Sequence, residues 1–246
     1  MKKKILNKNK SNNKKWLKIW EKKGHNLKSS KFEDILNVNG HDSKLGQYNK
    51  KDWYKYIRSL VKNIRLNKNS KILEYGCGAG AFLSYWYKKK YNLYGIDYSK
   101  MLIKKCKKIY PKINVYHGKI STLKKIKEKF DLILSHSVFQ YFDDYNYANS
   151  LILEMLLNIK YKGYILILDV PDKEKEKIYK SKIKKAMDIK NYKKHYGNHE
   201  HFFYKKSFFK KIAKNNNLKV KIFTHRLRLN ENSKYRYNVI FENNLI

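Results

Sequence analysis

The sequence predicts an α/β protein: a doubly wound, mostly parallel seven-stranded sheet completed by a C-terminal antiparallel hairpin. Three observations carry that prediction. The stretch Lys71–Phe82, Lys-Ile-Leu-Glu-Tyr-Gly-Cys-Gly-Ala-Gly-Ala-Phe, reads as a buried strand, a tight glycine turn and a helix N-terminus. Short apolar runs then alternate with helical patterns as far as Pro171, an order that demands right-handed crossovers and parallel strands. After Pro171 the pattern changes, and two strand-like runs, 218–227 and 235–241, flank a polar turn at 230–234.

Taken in order, residues 1–13 are rich in Lys and Asn and are expected to be disordered. A short amphipathic helix follows, with Trp16, Ile19 and Trp20 on one face, and 37–49 is polar and turn-rich. The stripe Trp53, Ile57, Leu60, Val61 and Ile64 predicts a helix from about Lys51 to Arg65. Residues 1–66 therefore read as a tail and helical cap, ahead of one domain over 67–246. In that domain the first strand ends at Glu74, and a helix is expected over 81–90. A second strand, Tyr91–Ile96, ends at Asp97. Ser99 can cap a helix to Ile109, with Pro111 beyond its end. Strands are expected at 113–116, 131–134 and 163–169, with a long helix at 145–159. The run Tyr164-Ile165-Leu166-Ile167-Leu168 has the continuous apolarity of a strand buried on both faces. Residues 172–204 read as a lid insertion, charged and helical to 189 and then aromatic and histidine-rich. A helix at 206–215 precedes the final pair of strands.

Glycines at alternate positions, Gly76, Gly78 and Gly80, allow positive φ angles and let a ligand lie against bare backbone. The N–H groups of the following helix and its dipole face the same point, so a small polar cofactor is expected there. Gly76–Ala81 also satisfies the looser dinucleotide pattern G-x-G-x-x-G/A, and Asp97 stands where a ribose-binding acid belongs in either case. Glu74, two residues before the first glycine, is a poor neighbour for a pyrophosphate but suits a cofactor carrying an amine. The third alternate glycine exceeds what a dinucleotide turn requires.

Here the chain resembles the class I S-adenosylmethionine-dependent methyltransferases, whose first motif is E/D-x-G-x-G-x-G, and the likeness extends over about 67–246. The resemblance implies S-adenosylmethionine as cofactor, with Glu74 toward the methionine end, directly or through water. It implies that Gly76, Cys77 and Gly78 supply the backbone wall, that Asp97 takes the ribose hydroxyls, and that Tyr98 and Met101 lie near the adenine. The usual acid after the third strand is replaced by Lys119, which cannot accept the adenine amino protons and leaves the backbone near Ile120 for that contact. Ser135 is expected to meet the methionine ammonium through its backbone. His136 is the best acceptor-side base or hydrogen bonder, and a structural role fits it equally. Asp169 can be catalytic or can merely close its strand. His195, His199 and His201 cluster in sequence, but no cysteine or carboxylate stands at ligand spacing, so no metal is expected.

The formal charge is +38, yet of 58 basic residues only five are arginines, the residue suited to bidentate phosphate and base contacts. Lys, Asn, Ile and Tyr share A/T-rich codons, so a solvated lysine surface explains the excess better than a nucleic-acid face does. Asn/Asp-Pro-Pro-Tyr and Pro-Cys sequences, which the family uses on bases, do not occur. The expectation is transfer of a methyl to an O or N atom of a small-molecule acceptor, a sugar or other metabolite. An RNA acceptor is the alternative, and a binding module without catalysis a third reading. Two cysteines and no apolar run of about 18 residues indicate a cytoplasmic protein without a membrane span. The sequence carries no signal for an oligomeric state.

Overall fold

Short apolar runs bounded by Lys, Asn and Gly form one sheet in a computed structural model, which describes residues 2–41, 48–186, 201–224 and 231–244. Its strands are β1 (Lys71–Tyr75), β2 (Asn92–Asp97), β3 (Asn114–His117), β4 (Phe130–His136), β5 (Ile159–Pro171), β6 (Lys219–Thr224) and β7 (Arg236–Glu242). They lie in the order β3-β2-β1-β4-β5-β7-β6. The first five are parallel, and β7 runs antiparallel to both β5 and β6. The order reverses between β1 and β4, so a crevice opens at the carboxyl ends of those strands, where ligands bind in such sheets.

Alternate side chains of each strand feed two cores. Ile72, Leu132, Leu134, Leu166 and Leu168 face helices α1 (Lys2–Asn26), α2 (Phe32–Val38), α3 (Lys50–Val61), α4 (Ser84–Tyr87) and α5 (Lys100–Ile109). Leu73, Ile133, Ile165 and Ile167 face the other way. Across that second face lie α6 (Ile120–Leu123), α7 (Tyr145–Asn158) and α9 (Lys206–Asn215), with α8 (Glu176–Ala186) beyond the end of β5. Caps fall where side chains can bind the first free N–H groups: Asn49, Ser99 and Asp144 accept from Asp52, Leu102 and Tyr147. Among the described residues, no helix is long and apolar enough to cross a membrane.

Three expectations need correction. Residues 2–13 belong to α1 rather than to a disordered tail, because lysine is a good helix former and no Gly or Pro interrupts the run before Gly24. The helix expected over 81–90 is regular only at Ser84–Tyr87; the loop keeps turning through 79–83, and Ser-Tyr-Trp-Tyr is weak helical sequence. Strand β5 begins at Ile159, four residues early, directly at the C-cap of α7. Much of the lid expected at 172–204, including His195 and His199, lies outside the described residues, as does most of the second half of the run at 218–227.

Trp53 joins the cap to the sheet. It is 1% exposed, stacks edge-on to Phe82 at 5.9 Å, and donates its Nε1–H to Ala81 O at 3.2 Å. Trp53→Ala is expected to destabilise the protein by about 3–5 kcal/mol. Urea unfolding should show a lower midpoint at unchanged slope. A cost under about 1 kcal/mol would mean that α3 does not anchor the cap.

Candidate active site

Strand β1 brings the chain into the crevice at Tyr75, and β2 shapes the loop that follows. The N–H groups of Gly76 and Cys77 both donate to Ile96 O, at 2.7 and 3.1 Å. Gly76 has φ +81°, and a Cβ there would sit 2.2 Å from Val138 Cγ2. Both the backbone angle and the space demand glycine. Asp97 then ties the loop to the end of β2: its Oδ2 accepts the Gly78 N–H at 2.9 Å and its Oδ1 accepts the Ser99 N–H at 2.8 Å. Burial pushes this carboxyl up to about 6, against the two N–H bonds that favour its charged form.

A cleft with a cavity volume of about 80 Å³ adjoins the loop. Gly76, Gly78, Asp97 and Tyr98 form one wall, with Leu102 and Lys119 at its far end. His136, Ser137 and Val138 enter from the end of β4, and Trp20 and Asn39 come from the N-terminal helices. The His136 ring is packed among Trp53, Tyr56 and Phe82, with centroids 5.2–5.9 Å away, and its Nε2 lies 3.4 Å from the Tyr56 hydroxyl. Ser137 and Asp169, at the ends of β4 and β5, both have left-handed backbones, φ +57° and +61°. Such conformations cost non-glycine residues about 1–2 kcal/mol each and cluster at functional sites.

Of the residues singled out in the sequence, Gly76, Gly78, Asp97, Tyr98 and His136 line the cleft. Glu74, Cys77, Met101, Ile120 and Ser135 do not, each for a visible reason. Glu74 is buried beneath the loop, held well above the usual carboxylate range by burial and by nearby Cys106 and Asp97, and its Oε2 has no hydrogen-bond partner among the described residues. Cys77 fills the space over Gly95, where a Cβ would come within 2.7 Å of its Sγ. Met101 is covered by Gly24 of α1. Ile120 opens α6 and packs against the second core. Ser135 Oγ donates to Tyr75 O at 3.0 Å. His201, half-buried, stacks on Trp16 with ring centroids 5.7 Å apart.

Asn39 had no signal in the sequence. Its Oδ1 accepts the Ala79 N–H at 2.8 Å and its Nδ2 donates to Cys77 O at 3.2 Å, so the cap grips the glycine loop from outside. Trp20 reaches the cleft beside it, and α1 continues across the mouth, where Trp16 and Trp20 pack on Tyr141 at 4.6 and 5.4 Å.

The residues present fit S-adenosylmethionine. Asp97 puts a carboxylate, a hydrogen-bond acceptor suited to a diol, on the cleft wall. Tyr98 lines the cleft with a buried hydroxyl that has no hydrogen-bond partner among the described residues. The glycine backbone leaves the loop wall bare.

A sheet in the order 3-2-1-4-5-7-6, parallel except at its C-terminal edge, is the fold of the class I methyltransferases. The chain belongs to the family described as "Methyltransferase domain", whose profile matches residues 66–225. It is an S-adenosylmethionine-dependent methyltransferase.

Solved structures agree in fold. An S-adenosylmethionine-dependent methyltransferase from Methanosarcina mazei superposes with a TM-score of 0.59 at 15% identity, over 76% of this chain and 98% of that one. One from Clostridium acetobutylicum gives 0.58 at 16% identity, over 79% and 91%. An amino pentose methyltransferase from Micromonospora echinaspora, solved with S-adenosylmethionine bound, gives 0.58 at 10% identity, over 77% and 91%. No curated protein sequence matches the chain.

Asn39→Ala removes two hydrogen bonds worth about 0.5–1.5 kcal/mol each. It is expected to raise the S-adenosylmethionine dissociation constant about tenfold in calorimetry while the fold is kept. Wild-type affinity would show that the grip of Asn39 does not shape the loop.

Proposed function

We propose that the enzyme methylates an oxygen or nitrogen atom of a small-molecule acceptor, a sugar or comparable metabolite, with residues 1–66 as cap and 67–246 as catalytic domain. The observation that carries this reading is the roof. Helix α1 brings Trp20 to the cleft, packed on Tyr141, and Phe142 and Tyr147 extend this aromatic lining. The amino pentose methyltransferase among the structural neighbours illustrates such an acceptor on this fold.

In this reading Asp97 accepts the two ribose hydroxyls, and Tyr98 and Leu102 flank the adenine. The backbone of Gly76 and Gly78 borders the methionine part, with Glu74 reaching it only through water. When bound, S-adenosylmethionine supplies an electrophilic methyl on a good leaving group. The chain's own task is to align the acceptor and exclude water, which the aromatic roof and the Trp53–Tyr56–Phe82 box around His136 do. His136 serves there as hydrogen bonder and shape determinant. Cys77 and Cys106, free and buried, suit a reducing compartment, and we assign the enzyme to the cytoplasm.

The test is methyl incorporation from labelled S-adenosylmethionine, with a small-molecule extract and total RNA as separate acceptor pools at physiological salt. Label is expected in the small-molecule pool. Efficient, site-restricted labelling of RNA would replace this reading with the lysine-surface alternative.

A further inference from the structure

Next to His136, the adjacent ends of β4 and β5 carry a second polar group. The Ser137 hydroxyl donates to Asp169 Oδ2, and the Ser137 N–H donates to Leu168 O at 3.1 Å. Arg236 of β7 is 7% exposed and forms an ion pair with Asp169 Oδ2 at 3.0 Å; its Nη1 also donates to Asp169 O at 2.9 Å and to Gln140 Oε1. Asn238 Oδ1 accepts the Asp169 N–H at 2.9 Å. A buried ion pair is an expensive way to close two strands, and both strand-end residues are also in left-handed conformations that glycine would adopt without strain.

Resting on the small-molecule reading, we propose that Ser137 and Asp169 form the proton-accepting pair for the acceptor, which therefore presents a hydroxyl or ammonium group to Ser137. Ser137 lines the cleft. Its single proton is committed to a carboxylate that only accepts, so toward the acceptor it offers lone pairs. It thus selects acceptor groups that donate. A hydroxyl gives up its proton as its electron pair forms the new bond to the methyl, and an ammonium gives one up beforehand, since only then does it have a pair with which to attack; in both cases the methyl's former bonding pair remains on sulfur. The acceptor's proton passes to Ser137 Oγ, and the Ser137 proton passes to Asp169 Oδ2. Asp169 ends neutral and Ser137 unchanged.

Arg236 favours the ionised carboxylate that such a relay needs at the start. The other groups facing Asp169 do not compete for the proton. Tyr56 of α3 is held well above the usual phenol range by burial and by Asp169 itself. His201, before α9, is pushed down to about 3 by burial and by Arg236, with Asp169 opposing, and is neutral at working pH.

The experiment uses the full chain, labelled S-adenosylmethionine and a protein-free small-molecule extract, with rates followed from pH 6.5 to 8.5. Each variant is also tested for S-adenosylhomocysteine affinity by calorimetry and for thermal midpoint. Ser137→Gly keeps the backbone angle and removes the hydroxyl; Asp169→Asn removes the final proton acceptor. Both are expected to lower kcat about a hundredfold or more, with S-adenosylhomocysteine affinity within about twofold of wild type. Wild type should be flat with pH, whereas both variants, left to direct deprotonation of the acceptor, should rise about tenfold per pH unit. If Asp169→Asn fails to fold with Arg236 uncompensated, Ser137→Gly decides alone. Wild-type rates in the folded variants overturn the pair. So does a rising profile in His136→Gln beside a flat one in Asp169→Asn, which would make His136 the base. A wild type that binds cofactor but labels nothing in the extract refutes the small-molecule reading itself, and the pair with it.

Discussion

Asp97→Ala is expected to weaken S-adenosylmethionine binding tenfold to a hundredfold. In the proposed site the carboxylate accepts two ribose hydroxyls, and hydrogen bonds to a charged group are worth about 1.5–3 kcal/mol. It also holds the Gly78 N–H at 2.9 Å, so truncation loosens the loop as well as removing a ligand contact. The same carboxyl sets a pH dependence. Its folded value, about 6, lies above the ordinary 3.8 because burial penalises the charge. The stability it contributes is therefore fully present below about pH 4 and is lost as pH rises through 6, a change of about 3 kcal/mol. Binding runs the opposite way, since a diol needs the carboxylate. Cofactor affinity should fall as pH drops below about 6, while the cofactor-free protein grows more stable over the same interval. Calorimetry at pH 5 and 7.5, paired with thermal unfolding, reads both signs. Equal affinity at both pH values, or an Asp97→Ala protein that binds like wild type, would remove Asp97 from the ribose site.

Gly76→Ala is expected to destabilise the protein by about 2–5 kcal/mol and to abolish measurable cofactor binding. Two independent penalties add: a left-handed backbone at φ +81° and a Cβ placed 2.2 Å from Val138 Cγ2. Val138 follows Ser137, so relieving the clash pushes the end of β4 away from the loop and opens the cleft. Adding Val138→Ala should recover the steric part and leave the backbone part, a separation that a double-mutant cycle in urea reads directly. A Gly76→Ala protein with wild-type midpoint and affinity would mean that the loop does not approach β4 as described.

What could be read from the sequence was local. Asp97 was legible because an acid ended an apolar run at a fixed distance past a glycine turn, and Ser99 because a cap needs only its own first turn. Asn39 was not, since its hydrogen bonds reach Cys77 and Ala79 across about 40 residues and exist only once the cap has folded onto the loop. Met101 was expected at the adenine for its place in α5, but Gly24 lets α1 pack over it, a close approach that no periodicity records. The left-handed angles of Ser137 and Asp169 were invisible because serine does not favour positive φ and aspartate, though enriched there, adopts it only in a small minority of positions. Helix α4 came out shorter than expected because loop geometry overrode a pattern that otherwise allowed a helix.

A crystal structure with S-adenosylhomocysteine tests the assignment of the cleft most directly. Both ribose hydroxyls should lie within hydrogen-bond distance of Asp97, the adenine should lie beside Tyr98, and the sulfur should face Ser137 and His136 beneath the Trp20–Tyr141 roof. Density for the ribose away from Asp97, or a sulfur turned from the end of β4, would contradict it.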